Sequence, residues 1–464
     1  MSRRRDLYQM DQKYRSTGFV FSDLHVRILP AHFPPTGLCA AAASNSCPIS
    51  AIAKVNRFNK RFKKQGVIAN FMSDTATVQS RETAAVELAE NAARPFERAH
   101  AMPPSVYTSN EFLAQELEHI FSQDWFCAGR ASSLGKPGDY LTLELAGQPI
   151  MVVRNSDGKL QAQSNVCLHR MSTLLEGRGN TRAIVCPYHA WTYELDGQLR
   201  GAPAMTKNES FCKQGMRLPV VRCEEWLGWI MVSLNADAIP VAQQLADVEA
   251  LIEDYGLTDY QESFFETHLW DTNWKVLAEN FMESYHLPVC HSGTIGGLSR
   301  LEEMDCPPGK PAFNYHTILK DDSLKIAMAH PDNTRMVGDR RRTTYLLAIY
   351  PSLMITLTPG YFWYLSLHPQ GVGQVRIMFG GGMSSEYAND SDAQEHFTTL
   401  KTLLDEVNVE DRGCTEKVFR GLCSDRAVPG PLSHLERPNY EFAQYLSSRI
   451  PDGGNIAQPN GKMK

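Results

Sequence analysis

Asn165-Val166-Cys167-Leu168-His169-Arg170 and, after sixteen residues that separate His169 from the second group, Cys186-Pro187-Tyr188-His189-Ala190-Trp191-Thr192-Tyr193 carry two mixed cysteine–histidine pairs. Each pair is a tight loop that offers one sulfur and one nitrogen. A Cys₂His₂ zinc site usually keeps its two cysteines in one knuckle and its two histidines in the other. Here every knuckle is mixed, which argues against zinc. A [2Fe–2S] pair in which one iron takes two thiolates and the other two imidazoles fits this arrangement, and it defines a Rieske centre. Neutral imidazole in place of thiolate lowers the negative charge of the cluster and makes it easier to reduce. Asp196-Gly197, between Tyr193-Glu194-Leu195 and Gln198-Leu199, reads as a hairpin turn. Trp191 and Tyr193 are placed either to shield the cluster from water or to serve as ordinary core.

A Rieske protein that only carries electrons needs no other metal. Downstream, however, lies Asn273-Trp274-Lys275-Val276-Leu277-Ala278-Glu279-Asn280-Phe281-Met282-Glu283-Ser284-Tyr285-His286, then Leu287-Pro288-Val289-Cys290-His291. Residues 273–286 hold few helix breakers and predict a helix that Pro288 would end. His291 then sits on the bend beyond it, free to turn back toward His286. With one carboxylate from elsewhere, the two imidazoles would form a 2-His-1-carboxylate triad that leaves positions open on Fe(II).

At this point the chain resembles the catalytic subunit of the Rieske non-haem iron oxygenases, whose iron motif has the form Asn-x-x-(Asp/Glu)-x-Tyr-His-x₄-His. Asn280, Glu283, Tyr285, His286 and His291 match it, and the resemblance covers roughly residues 100–450. It implies that His286 and His291 bind the mononuclear iron. It also implies that Glu283 bridges a cluster histidine of one subunit and an iron histidine of its neighbour. The family usually has Asp there; Glu, one methylene longer, points to the choline/glycine betaine/carnitine monooxygenase group. The same group carries Glu-Asp before a Glu-x-Val-x-Arg-Gly-Leu run, matched by Glu410-Asp411 and Glu416-Lys417-Val418-Phe419-Arg420-Gly421-Leu422. By that resemblance Asp411 is the third iron ligand, Glu410 faces elsewhere on the helix, and Glu416 lies about a turn and a half on.

At 464 residues, 43% hydrophobic and 21% charged, the chain reads as a globular protein of two or three domains. No apolar run approaches a membrane span; Gly228-Trp229-Ile230-Met231-Val232-Ser233-Leu234 is too short. Of eleven cysteines, two belong to the cluster, and the other nine, Cys212, Cys223 and Cys306 among them, are expected as free thiols in a reducing cytoplasm. Residues 1–71 hold 12 Lys+Arg against 3 Asp+Glu. They read as a basic disordered arm, an organelle-targeting sequence, or upstream sequence ahead of a start at Met72, the last being favoured because Met72-Ser73-Asp74 opens more ordinary composition. Arg57–Lys64 has no folded motif behind it, so nucleic-acid binding is not expected.

The expected fold is α+β. A helical lead-in at 72–125 includes an amphipathic helix at 109–122, an all-β Rieske domain follows at 126–235, and a mononuclear iron domain at 236–450 precedes a flexible tail at 451–464. Helix is expected at Ala238–Tyr255, and strands at Phe264–Leu269, Thr344–Tyr350, Leu353–Leu357, Tyr361–Leu367 and Val375–Phe379. A long helix from about Asp392 to Gly421 would complete the helix-grip layout of the resembled family.

That family implies a reductase, possibly with a ferredoxin, that passes electrons from NAD(P)H to the cluster. It also implies O₂ as co-substrate and a homotrimer in which electrons cross a subunit boundary. The expected substrate is a quaternary ammonium compound to be hydroxylated or N-demethylated, held by cation–π contact. Tyr345, Tyr350, Tyr361, Trp363 and Tyr364 are candidates for the cage, or are ordinary core. The alternative is an aromatic carboxylate paired with Arg340, Arg341 or Arg342. A Rieske carrier without mononuclear iron is the reading from another class.

Overall fold

The computed structural model describes residues 83–321 and 327–451. The basic segment at 1–71 and nearly all of the tail lie outside those residues. Among the described residues no helix is long and apolar enough to cross a membrane.

The first part is all-β. Its strands are β1 (Phe126–Arg130), β2 (Asp139–Leu145), β3 (Gln148–Arg154), β4 (Leu160–Ser164), β5 (Arg178–Asn180), β6 (Ile184–Val185), β7 (Thr192–Tyr193), β8 (Leu199–Gly201), β9 (Val220–Trp226) and β10 (Trp229–Ser233). Seven of them form an antiparallel sheet in the order β1-β10-β9-β4-β3-β2-β5, and β6-β7-β8 form a second, small one. Two-residue turns close two hairpins. Ala146-Gly147 joins β2 to β3 and Leu227-Gly228 joins β9 to β10, all four residues at positive φ, the turn whose twist matches that of paired strands. The small sheet carries the Asp196-Gly197 turn between β7 and β8, as the sequence predicts.

The second part is built on a seven-stranded antiparallel sheet, β11-β17-β16-β15-β14-β13-β12. Its strands are β11 (Gln261–Trp270), β12 (Met304–Asp305), β13 (Phe313–Leu319), β14 (Thr343–Ile349), β15 (Leu353–Leu357), β16 (Tyr361–Gly371) and β17 (Gln374–Met383). Strand β17 runs past the expected end at Phe379 through Gly380-Gly381-Gly382. These glycines make room for the rings opposite: a Cβ on Gly381 would lie 2.4 Å from the Trp363 ring, and one on Gly380 2.5 Å from Tyr364. The Ala393–Leu422 helix packs Leu400 into the core beside Phe264, Phe379 and Phe397. Lys401, one residue on, stands 4.8 Å from the Phe264 ring centroid and pairs with Glu266 at 2.9 Å. The α+β architecture is thus the expected one, all-β domain first and then a sheet with a long helix.

Several local expectations are corrected. The helix predicted over 273–286 spans only Trp274–Met282. Glu283 is extended because its own carboxylate accepts the His286 N–H at 3.0 Å, and Ser284 bonds His316 on β13 at 2.6 Å; such side-chain bonds compete with the helix ladder. Pro288 therefore does not stop that helix but sits near the start of a second one, Leu287–Cys290, where its missing N–H costs nothing. The segment 238–255 divides into Val241–Gln244, Ala246–Ile252 and a short 3₁₀ turn, since Leu245 leaves helical geometry while it is buried. A closing helix, Arg437–Arg449, adds to the expected elements. It seats Phe442 against Trp274, and Ser433 and Glu436 cap the turn that leads into it.

The expectation that all cysteines outside the cluster are free thiols fails at one pair: Cys290 and Cys414 form a disulfide. Cys290 precedes His291, and Cys414 lies three residues beyond Asp411, so the packing that joins the ligands also joins the sulfurs. Cys127, Cys212, Cys223, Cys306 and Cys423 are free.

Candidate metal centres

Cys167 and His169 sit on the loop after β4, and Cys186 and His189 on the loop between β6 and β7. The two loops turn alike. Met171 N–H donates to Cys167 O at 3.1 Å and Ala190 N–H to Cys186 O at 3.0 Å, with Met171 and Ala190 both at positive φ. Both sulfurs are buried, and the two imidazoles stand 4.7 Å apart between centroids. Trp191 stacks on His169 at 4.8 Å, its plane tilted by 3°. The Leu168 N–H donates to Tyr193 Oη, which lies 3.3 Å from Cys167 Sγ and can donate to that sulfur as a thiolate. Trp191 and Tyr193 thus form the dry wall behind the loops. Burial works against the Cys186 thiolate, yet the Tyr188 and His189 N–H groups hold its thiol below the usual value. His169 Nδ1 is buried with no hydrogen-bond partner, the state of a nitrogen reserved for a metal. Two thiolates and two imidazoles at adjoining loop tips fit a Rieske cluster.

The second centre joins segments far apart in sequence. Among the described residues, His286, His291 and Asp411 are the one group of three histidine, cysteine or acidic residues whose ligand atoms all lie within 4.8 Å of one another. His286 Nε2 is 3.2 Å from His291 Nε2, and Asp411 Oδ1 is 3.0 Å from His291 Nε2 and 3.6 Å from His286 Nε2. Such a triangle can hold all three atoms at about 2.1 Å from a single ion, as one face of an octahedron. Asp411 Oδ1 is buried beside these two nitrogens, with no other hydrogen-bond partner. The three atoms crowd around a common point. Burial would raise the Asp411 carboxyl, but His286 and His291 hold it below the ordinary carboxylate range.

Both imidazoles are oriented from behind. Glu283 Oε1 is 2.5 Å from His286 Nδ1, and Glu410 Oε2 is 2.9 Å from His291 Nδ1. A proton held on each Nδ1 leaves each Nε2 lone pair toward the common point. The sequence expectation that Glu410 faces elsewhere on its helix is therefore corrected: its carboxylate meets His291. The Leu287–Cys290 helix lies against the Ala393–Leu422 helix and presents His291 to both members of Glu410-Asp411, while Thr294 donates to the same Glu410 oxygen at 2.6 Å. Glu416 does point away, paired with Arg412 at 2.7 Å.

The triad opens on a cavity of about 180 Å³ lined by His286, His291, Asp411, Asn280, Glu283, Tyr361 and Trp363 together with many aliphatic side chains. Asn280 Nδ2 reaches to 3.3 Å from His286 Nε2. Tyr285 is half exposed and does not line the cavity. Of the expected cage, Tyr361 and Trp363 adjoin each other at 4.9 Å on the cavity side of β16. Tyr364 also borders the cavity, but its hydroxyl is given to Glu262 at 2.9 Å. Tyr350 and Tyr345 are elsewhere: the first accepts from Asn314 and stacks on Tyr445, the second bonds Arg340. Strand alternation could not tell which tyrosines face the triad, because the sheet is covered on both sides. Arg340 binds Asp254, Arg341 the carbonyls of Asn333 and His330, and Arg342 the Lys320 carbonyl and Asp339. None of the three lines the cavity, which removes the carboxylate partner expected for the alternative substrate.

Residues 124–220 match the family model of the Rieske [2Fe-2S] domain, and residues 257–452 that of the ring hydroxylating alpha subunit (catalytic domain). The chain is similar to the carnitine monooxygenase oxygenase subunit of Acinetobacter baumannii, 35% identical over 198 residues. That match takes in 42% of this chain and spans about half of the relative, 53% of its length. The Escherichia coli carnitine monooxygenase oxygenase subunit is 32% identical over 351 residues, 73% of this chain and 88% of the relative. Among solved structures, the quaternary ammonium Rieske monooxygenase CntA matches with a TM-score of 0.68 at 25% identity, over 78% of this chain and 98% of its own.

Proposed function

The chain belongs to the Rieske non-haem iron oxygenases, and on that premise we propose that it uses O₂ and electrons from an NAD(P)H-dependent reductase to hydroxylate or N-demethylate a small quaternary ammonium substrate. The observation that carries this reading is the His286–His291–Asp411 triangle opening on a cavity walled by Tyr361 and Trp363. Mononuclear Fe(II) held there would supply the site at which O₂ is bound and reduced. The remaining work falls to the chain itself. Cys167, His169, Cys186 and His189 would hold the electron-storing cluster. Glu283 and Glu410 keep a proton on Nδ1 of His286 and His291, and so fix the direction of the ligating nitrogens.

Glu283 would also meet a cluster histidine of a neighbouring subunit, making the homotrimer the working unit. The faces of Tyr361 and Trp363 suit a trimethylammonium group, which is attracted by the ring quadrupole and costs little to desolvate. Aliphatic neighbours such as Leu277, Leu287 and Leu404 keep water from the reacting centre.

Oxygen uptake by the holoenzyme with its reductase tests the substrate class. Trimethylammonium compounds are expected, as a class, to stimulate uptake and to yield a hydroxylated or demethylated product. Stimulation by aromatic carboxylates alone would contradict the reading.

A further inference from the structure

One wall of the iron cavity is a face of the seven-stranded sheet, and its two ends differ in chemistry. At one end stand Tyr361 and Trp363 on β16. Pairing carries the same face across β15 and β14 to β13, with Trp363 opposite Thr356, Thr356 opposite Leu346, and Thr344 opposite Ile318. Thr356, Leu346, Thr344 and Ile318 all border the cavity. Lys320 lies two residues past Ile318, on the same side of the sheet, and its N–H donates to Arg342 O at 3.1 Å, which prolongs the ladder. Three strand spacings, about 14 Å between backbones, separate the aromatic end from the lysine end.

Lys320 is only 9% exposed, yet its side chain borders the cavity. Its ammonium donates to Leu298 O at 3.2 Å and to Ser299 Oγ at 2.8 Å, both neutral acceptors. Among the described residues no carboxylate lies within ion-pair distance of it; the acid that acts on it from farther away, Glu303, is bound to Arg300 at 2.8 Å. A buried cation without an anion is costly, and burial pushes the Lys320 pKa down to about 8. An ammonium has three donors, so one is left over. Ser299 is buried, lines the same cavity and, accepting from Lys320, keeps its own hydroxyl proton to donate.

We propose that Lys320 and Ser299 form a carboxylate subsite of the iron cavity, which selects substrates bearing an anionic carboxylate over purely cationic ones. Resting on the quaternary ammonium reading, this makes the substrate a zwitterion. Its ammonium is held at Tyr361 and Trp363 and its carboxylate at the opposite end of the sheet face. A ligand that touches both ends must carry its two charges several bonds apart.

The test is calorimetric binding to the oxidised holoenzyme, which needs no turnover. The probes are 4-(trimethylammonio)butanoate, its methyl ester and benzoate, and the proteins are the wild type, Lys320→Met, Lys320→Arg and Ser299→Ala. Loss of a charge-assisted hydrogen bond predicts that Lys320→Met weakens the free acid by about 30-fold and leaves the ester within about threefold. Lys320→Arg should recover most of the loss, and Ser299→Ala should show a smaller loss confined to the acid. Equal losses for acid and ester in Lys320→Met, or an unchanged affinity for the acid, would overturn the subsite. Binding of benzoate alone, still dependent on Lys320, would uphold the subsite and refute the quaternary ammonium reading.

Discussion

Asp411→Ala is expected to lower the iron content from about three per chain to about two, and to abolish product formation while the visible spectrum of the Rieske cluster is unchanged. The triangle of ligand atoms has only three corners, and the carboxylate is the one that brings negative charge to the ion. Two neutral imidazoles 3.2 Å apart would hold Fe(II) far more weakly. The cluster loops lie in a different domain, so they should be untouched. Iron and sulfide analysis, with electron paramagnetic resonance of the reduced protein, separates the two centres. Retention of the third iron in Asp411→Ala would move the ligand assignment to another carboxylate, and Glu410, its neighbour, would be the one to test.

Glu283→Gln is expected to leave both metal centres loaded and substrate binding unchanged, yet to slow turnover on the order of 100-fold. Glu283 Oε1 accepts the His286 Nδ1 proton and its Oε2 the His286 backbone N–H, so the carboxylate fixes the ring from two sides. An amide keeps one acceptor but loses the negative charge that makes His286 a stronger ligand and that would bind a neighbouring subunit's imidazole. The readout is the reoxidation of the reduced cluster after mixing with O₂ and substrate. In the variant the cluster should stay reduced while bound substrate waits. A variant that reoxidises its cluster at the wild-type rate would remove Glu283 from the electron path and leave it only an orienting role.

The parts of the site that lie close together in sequence could be read directly. Cys167, His169, Cys186 and His189 declare their chemistry by mixed knuckles, and Glu283, His286 and His291 share one short segment. Asp411 could be placed only through the resemblance of its surrounding run, since it lies 120 positions after His291 and no local pattern says that the two meet. The direction of Glu410 is hidden for the same reason. On an ideal helix, adjacent residues point about 100° apart, and one imidazole between them meets both, Glu410 through Nδ1 and Asp411 through Nε2. Lys320 and Ser299 gave no signal at all: a lone lysine at a strand end reads as a solvated charge until the fold buries it. The Cys290–Cys414 pair follows from the same long-range packing. The helix stops at Met282 because the side-chain bonds of Glu283 and Ser284 outcompete a helix that propensity alone would extend to His286.

The most direct test of the account is a single turnover of the fully reduced protein under ¹⁸O₂ with a trimethylammonium carboxylate and no reductase present. The account predicts ¹⁸O in the hydroxylated product, or in the alcohol formed when a released aldehyde is reduced at once before its oxygen exchanges with water, and reoxidation of the cluster in the same event. Reoxidation without labelled product, or product that carries only solvent oxygen, would contradict it.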